Sequence, residues 1–341
     1  MSLDLPLIWA GLLGGAVLLY VVLDGFDLGI GILFPLARSP EERSLMMDAI
    51  APVWDGNETW LVLGGGGLMA AFPAAYAVLM PALYLPVYLM LIALILRGVA
   101  FEFRLRGRRR GKAFWTVAFA AGSAAATFAQ GLVLGGFVQG VKVEDGAFAG
   151  GPFDWLTPYT LLVAVGLVAG YALLGATWLV LKTEDRLFEN ARRWARLAAC
   201  AVAGMLAVVS IATLYQHPQI AERWGVFAGR FDLSTMLRRA PIPLLGLLGL
   251  AIVLVAVQRR SHLWPYIGAA MVFLSGYLGL AIGFFPYVAP YALTFREAAS
   301  AENSLALLLT GAAIMLPLIL GYTVWVYWLF RGKVSADAGY H

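Results

Sequence analysis

The sequence is poor in the residues that hold metals. A single cysteine, Cys200, stands among 341 residues. That excludes an internal disulfide framework, a zinc site built on cysteines and an iron–sulfur cluster. The three histidines are His217, just past an apolar stretch, His262, in a short connection, and His341, the last residue. None sits deep in an apolar run, where a haem inside a bilayer would need its axial ligand. No two share the i, i+4 spacing of a helical metal site. No metal held wholly by this chain is therefore expected. Charge is scarce too: 13% of residues are charged, against about 25% in a soluble domain. The opening Met1-Ser2-Leu3-Asp4 lacks the basic n-region of a cleaved signal peptide, so the first apolar stretch is expected to be retained.

What is present is apolar. Hydrophobic residues make up 61% of the chain and its mean hydropathy is +0.81. A helix needs about 20 mostly apolar residues to cross a bilayer. Nine stretches qualify, approximately 7–34, 57–78, 81–101, 113–138, 158–181, 195–214, 241–257, 264–287 and 304–330. No linker is long enough to set off a soluble domain. The expectation is one all-α polytopic membrane domain over 1–341 with nine transmembrane helices. The second and third stretches nearly touch, which predicts a tight antiparallel hairpin around Pro81. The seventh is the shortest, close to the lower limit for spanning. The connection 216–240 is expected to carry a short surface helix. Aromatic residues such as Trp9, Tyr84, Trp115, Tyr159 and Trp264 fall near span ends, as interfacial anchors do.

Orientation follows from Lys and Arg in the connections. With the N-terminus outside, 18 of the 24 Lys and Arg fall on the cytoplasmic side, seven of them between Arg97 and Lys112. The C-terminus is then inside. The run Arg104-Leu105-Arg106-Gly107-Arg108-Arg109-Arg110 reads as a topogenic loop near anionic lipid, and no nucleic-acid partner is expected.

Acids inside the spans carry the functional signal. Asp24 and Asp27 in the first stretch are spaced i, i+3 and share a helix face. A carboxylate facing lipid costs roughly 3 kcal/mol, so both are expected to face protein, water or a partner. Counted from Leu7, they lie about 25 and 30 Å along the helix, toward the cytoplasm. Hydration at the boundary is the plain reading; a cytoplasmic proton path is the functional one. Gly25 and Gly29, spaced i, i+4, offer a small-residue surface for a neighbouring helix. The second stretch opens on Trp54-Asp55-Gly56-Asn57-Glu58-Thr59-Trp60. Asp55 followed three residues later by Glu58 has the capping-box pattern, and a capping acid can also relay protons. Gly64 to Gly67 inside this stretch fit a place where another backbone or a bulky group packs close, and Thr127 and Gln130 in the fourth are expected to bond across helices.

Taken together, Asp24-Gly25-Phe26-Asp27-Leu28-Gly29, the run from Ile50 through Trp54-Asp55-Gly56-Asn57-Glu58-Thr59 to Trp60-Leu61, Phe285-Pro286-Tyr287 and Tyr322-Thr323 resemble subunit 2 of the cytochrome bd-type ubiquinol oxidases over nearly the whole chain. The wording of the first span is closest to the cyanide-insensitive branch. The resemblance implies two four-helix bundles plus one peripheral helix. It implies a heterodimer in the bacterial cytoplasmic (inner) membrane, with a larger subunit 1 that holds two b-type haems and haem d, oxidises quinol and reduces oxygen to water. It leaves room for a small single-span third subunit, and some family members hold a structural quinone. On the residues, it implies a proton path through Asp27 and Asp55 with Asp24 beside it, and an oxygen route or its packing at Trp60; Glu58 joins the candidate proton path through its place in the second motif.

Two readings of other classes remain in view. A secondary transporter would show inverted repeats with charged sites at midplane; here no repeat is evident and the acids lie toward one side. A pure membrane scaffold leaves Asp24 and Asp27 unexplained. An absorption spectrum separates them from an oxidase subunit: this chain purified alone is expected to be colourless, and the complex with its partner to absorb in the red through haem d.

Overall fold

Proline and short polar residues set the starts of most helices. In the computed structural model, which describes residues 3–106, 109–227 and 230–334, α1 (Leu5–Leu33) begins where the Asp4 side chain accepts a hydrogen bond from the Leu7 amide at 3.3 Å. Helix α2 (Pro40–Asp48) is capped by Ser39, and α3 (Trp54–Ala71) follows after two turns of irregular chain. The long α4 (Pro73–Arg106) and α5 (Arg109–Gln139) come next. Helix α6 (Pro158–Lys182) opens with a reciprocal Thr157–Thr160 capping box before Pro158. Then come α7 (Asp185–Gln216), the short α8 (Pro218–Arg223) and α9 (Leu233–Arg239), α10 (Pro241–Gln258), α11 (Trp264–Phe284) and α12 (Glu302–Leu329). The only strands among the described residues form three two-stranded antiparallel ribbons in the connections.

Eight of these helices are long and apolar enough to cross a membrane: α1, α4, α5, α6, α7, α10, α11 and α12. The fold is all-α and polytopic. The shortest stretch in the sequence, 241–257, appears as α10 and meets the criterion. The second stretch does not: α3 has 18 residues, but its first two turns hold Asp55, Asn57 and Glu58 and dilute its apolarity. The hairpin predicted around Pro81 is displaced. The chain reverses at Phe72-Pro73, where proline takes the first helical position, and Pro81 and Pro86 lie inside α4. The α3–α4 pair is antiparallel, with the Trp54 ring 5.1 Å from that of Phe101. Prolines are tolerated there because membrane helices can satisfy the freed carbonyls from neighbours. The connection 216–240 carries two short helices, α8 and α9, where one was expected. Trp9 and Tyr159, read as interfacial anchors, are buried, and the Trp9 indole donates to the Leu305 carbonyl at 3.1 Å.

Helix α1 is the hub. It packs against α3, α5, α6, α11 and α12. The closest approach is to α6. A Cβ added at Gly29 would overlap the Tyr171 carbonyl oxygen, and one at Gly175 would overlap the Gly29 backbone. The small-residue surface read from Gly25 and Gly29 is thus filled by α6, and Phe26 between them stacks on Trp178 at 4.0 Å. In the glycine run of α3, a Cβ at Gly67 would overlap the Leu13 side chain of α1, whereas one at Gly65 or Gly66 would meet nothing within 4 Å.

Gly29→Ala should force α1 and α6 apart. We expect a loss of at least about 2 kcal/mol, as for other overpacked sites, read as a lower Tm of the purified protein. Gly15→Ala on the same helix, where a Cβ meets nothing within 4 Å, should leave Tm unchanged or raised, since alanine is the better helix former.

Candidate functional site

Asp24 and Asp27 are both fully buried in the last third of α1. Each has a different partner. Arg97 of α4, 1% exposed, places its Nη1 2.9 Å from Asp24 Oδ1. Asn57 of α3 donates from Nδ2 to Asp27 Oδ2 at 2.7 Å and, more weakly, to the Leu23 carbonyl at 3.3 Å. The buried cluster therefore holds two carboxylates and one guanidinium. Low dielectric makes the Asp24–Arg97 attraction strong and its disruption expensive. Asp27 has a hydrogen-bond donor but no cation of its own. Asp24 Oδ2, Asp27 Oδ1, and Arg97 Nε and Nη2 are buried without a hydrogen-bond partner among the described residues.

The network extends in both directions from the acids. One turn earlier on α1, Tyr20 accepts from Gln130 Nε2 of α5, and Gln130 Oε1 accepts from the Tyr171 hydroxyl of α6 at 2.9 Å. This confirms the cross-helix role of Gln130. Thr127 instead turns back on its own helix, donating to the Ser123 carbonyl at 2.9 Å. On the other side, the Tyr327 hydroxyl of α12 donates to Asn57 Oδ1 at 2.8 Å. The Tyr327 ring lines a cavity of about 300 Å³ at the α2 end of the molecule, together with Asp48, Val53, Trp178, Lys182 and Lys333. Half-burial pushes the Asp48 carboxyl up from its ordinary range, opposed by the Arg104 charge.

The remaining acids of the second motif fall differently. Glu58 is half-buried and within electrostatic reach of Arg97 and Asp24. Asp55 is exposed on the outward face of α3, and among the described residues its side chain makes no hydrogen bond or ion pair. It does not cap the helix: the N-cap is Val53, and Asp55 lies inside the first turn, where its charge still suits the helix dipole. Trp60 is buried, packed with Ala16 and Tyr20. The structure thus brings Asp24 and Asp27 together and sets Glu58 within electrostatic reach both of Asp24 and of the exposed Asp55. Arg97, Asn57 and Tyr327 were missed. Arg97 had been grouped with the cations of a connection, although it stands inside the apolar run 91–101; a lone arginine there, opposite two intramembrane acids, is the signal that would have found it.

The residues present do not fit a haem. Among the described residues no three His, Cys, Asp or Glu side chains gather to hold a metal. The His262 imidazole sits 3.0 Å from the Val180 carbonyl, and His217 lies between the rings of Tyr159 and Tyr291 at the opposite end. Side chains 105–110 of the basic run, and His341, lie outside the described residues.

Comparison with known proteins places this geometry in a family. The family model for cytochrome bd terminal oxidase subunit II matches residues 5–330. Cytochrome bd-I ubiquinol oxidase subunit 2 of Escherichia coli K12 is 28% identical, over 98% of this chain and 96% of its own length. Cytochrome bd ubiquinol oxidase subunit 2 of Bacillus subtilis is 29% identical over 93% of each chain. The bd oxidase structure from Geobacillus thermodenitrificans shares the fold, with a TM-score of 0.76 at 18% identity over 97% of this chain and 100% of that one. A match along almost its full length, to a family whose members are multi-pass membrane subunits, shows that the chain belongs to the cytochrome bd terminal oxidase subunit II family and is a subunit of a terminal oxidase.

Proposed function

We propose that this chain supports a haem-bearing subunit 1 in the inner membrane and conducts cytoplasmic protons toward it through Asp27. The partner, with two b-type haems and haem d, would oxidise quinol and reduce oxygen, making the complex a quinol:oxygen oxidoreductase. No complete active site lies in this chain. The observation that carries the proton reading is the charge count of the buried cluster. Arg97 compensates Asp24, which leaves Asp27 as the carboxylate whose charge depends on taking up a proton. Asp24 then serves as a fixed partner of Arg97. Glu58 stands where it can pass protons along α3, and Asp55 lies further out on the same helix. Trp60 packs the α1–α3 contact on the route proposed for oxygen.

The topology proposed with this function has nine spans, α3 being the ninth, with the N-terminus outside and the C-terminus inside. Its support is the Lys and Arg asymmetry, which survives moving Arg97 from a connection into α4. Helices α1, α3, α4 and α5 form one four-helix bundle and α6, α7, α10 and α11 the other. Helix α12, the least buried of the eight apolar helices, is peripheral against α1 and α3. The α2 end is then cytoplasmic, and Asp27 lies about 9 Å short of that end of α1.

In the assembled complex, Asp27→Asn should keep its haem content and lower oxygen consumption and proton uptake by on the order of 10²-fold; normal rates of both would dismiss the path. Asp24→Asn should act on assembly instead. It leaves Arg97 buried and unpaired, at a cost of about 3–5 kcal/mol, read as lost haem and a lower Tm. For topology, in a Cys200→Ala background a membrane-impermeant thiol reagent added outside should label Lys142→Cys and not Arg331→Cys. The reverse pattern overturns the orientation.

A further inference from the structure

The polar network does not stop at Asp27. Through Asn57 and Tyr327 it reaches the wall of the cavity at the α2 end. We propose that this cavity is the water-filled approach to Asp27, and that Tyr327, acting through Asn57, is the positioning residue that governs when Asp27 meets that water. The inference rests on Asp27 being the proton carrier.

The cavity suits water. It is roomy, and Asp48, Lys182 and Tyr327 are among the residues that line it, side-chain types that can partner ordered water. One wall is stitched shut by the chain after α12. Lys182 donates to the carbonyls of Phe330 and of Gly332, the latter at 3.3 Å; Lys333 donates to the Thr183 carbonyl at 3.3 Å; and the Val334 amide donates to the Lys182 carbonyl at 2.9 Å. Lys182 thus satisfies carbonyls just past the end of α12, and Lys333 the one just past the end of α6, which holds the end of α12, and with it Tyr327, against α6.

The link from Tyr327 to Asp27 orients without conducting. A hydroxyl or carboxyl passes a proton by accepting one and releasing another. An amide can do so only through its imidic tautomer, and Asn57 is the amide in the middle. Its orientation is fixed from both sides: Nδ2 must face the Asp27 carboxylate, and Oδ1 is held by the Tyr327 hydroxyl. A flipped amide would set oxygen against oxygen. Asp27 therefore has one oxygen, Oδ2, occupied, while Oδ1 is buried without a partner among the described residues. When the Tyr327 ring swings aside, a proton from cavity water bonds to Oδ1, and Asp27 becomes neutral beside the compensated Asp24–Arg97 pair. When the ring returns, Asp27 is again shut off from the cavity, and the proton can leave only inward.

The test uses the oxidase complex purified with its partner. Tyr327→Phe should keep haem content and the KM for quinol and for oxygen. It should lower kcat by on the order of tenfold and enlarge the solvent deuterium isotope effect on kcat, because proton delivery becomes limiting. Asp48→Asn, which leaves the Asn57 link untouched, should shift both quantities in the same direction. A fully haemylated Tyr327→Phe with wild-type kcat and isotope effect overturns the inference. If Tyr327→Phe fails to assemble, Asp48→Asn decides, and wild-type values there overturn it. Asp27→Asn separates the two levels. A slow Asp27→Asn beside a silent Tyr327→Phe removes this inference and leaves the proton path standing, whereas a silent Asp27→Asn removes both.

Discussion

The contact between Arg97 and Asp24 constrains the rest of the molecule. The two groups are 2.9 Å apart with almost no exposure. In such surroundings leaving either charge alone is costly, because the penalty for an unpaired buried ion is a large fraction of the net stability of most folds. Helix α4 must therefore present one position to the acidic face of α1. With that fixed, Asn57 brings α3 to Asp27, Gln130 and Tyr171 bring α5 and α6 to Tyr20, and Tyr327 brings α12 to Asn57. Side chains from six helices meet in one polar seam inside an otherwise apolar bundle. Apolar packing between membrane helices has little directional preference, so this seam supplies much of the specificity.

The sequence of α1 shows how one short run can serve three neighbours. Successive helix residues are about 100° apart. Asp24 and Asp27 therefore share one face, Gly25 and Gly29 another, and Phe26 points along a third. The acids meet α3 and α4, the glycines admit the backbone of α6, and Phe26 stacks on Trp178. The glycine contact covers one face of the helix with α6, while α3 and α4 cover the acid face, so α1 is enclosed on both sides at this level.

Much of this was legible in the sequence, for a physical reason. Acids in apolar runs violate hydropathy, so Asp24 and Asp27 announce themselves, as does the small-residue surface beside them. Arg97 violates hydropathy equally but lies seven residues before Arg104 and the basic run, and was absorbed into it. Asn57 and Tyr327 carry no formal charge, and nothing local distinguishes them from a capping amide and an interfacial aromatic; only the three-dimensional meeting of α3 with α12 gives them a role. The turn was misplaced because proline was read with its soluble-protein meaning. Pro81 and Pro86 sit inside α4, and the reversal falls at Phe72-Pro73. Asp55 was read as a helix cap from its spacing to Glu58, but the helix begins one residue earlier, at Trp54 with Val53 as its N-cap, which leaves Asp55 exposed inside the first turn.

The acid pair has two distinct sides. On one, Glu58 lies within electrostatic reach of Arg97 and Asp24, with Asp55 one turn earlier on α3 at the surface. On the other, Asn57 and Tyr327 separate Asp27 from the cavity at the α2 end. The sides differ in charge. A proton approaching Asp24 meets a carboxylate already neutralised by Arg97, and one approaching Asp27 meets an uncompensated charge. On the path proposed above, uptake would be favoured from the cavity side, and the guanidinium would oppose a second proton arriving beside it. An arginine placed against one of two adjacent acids makes a pair of like groups electrostatically unequal, one compensated by a cation and the other held by an amide.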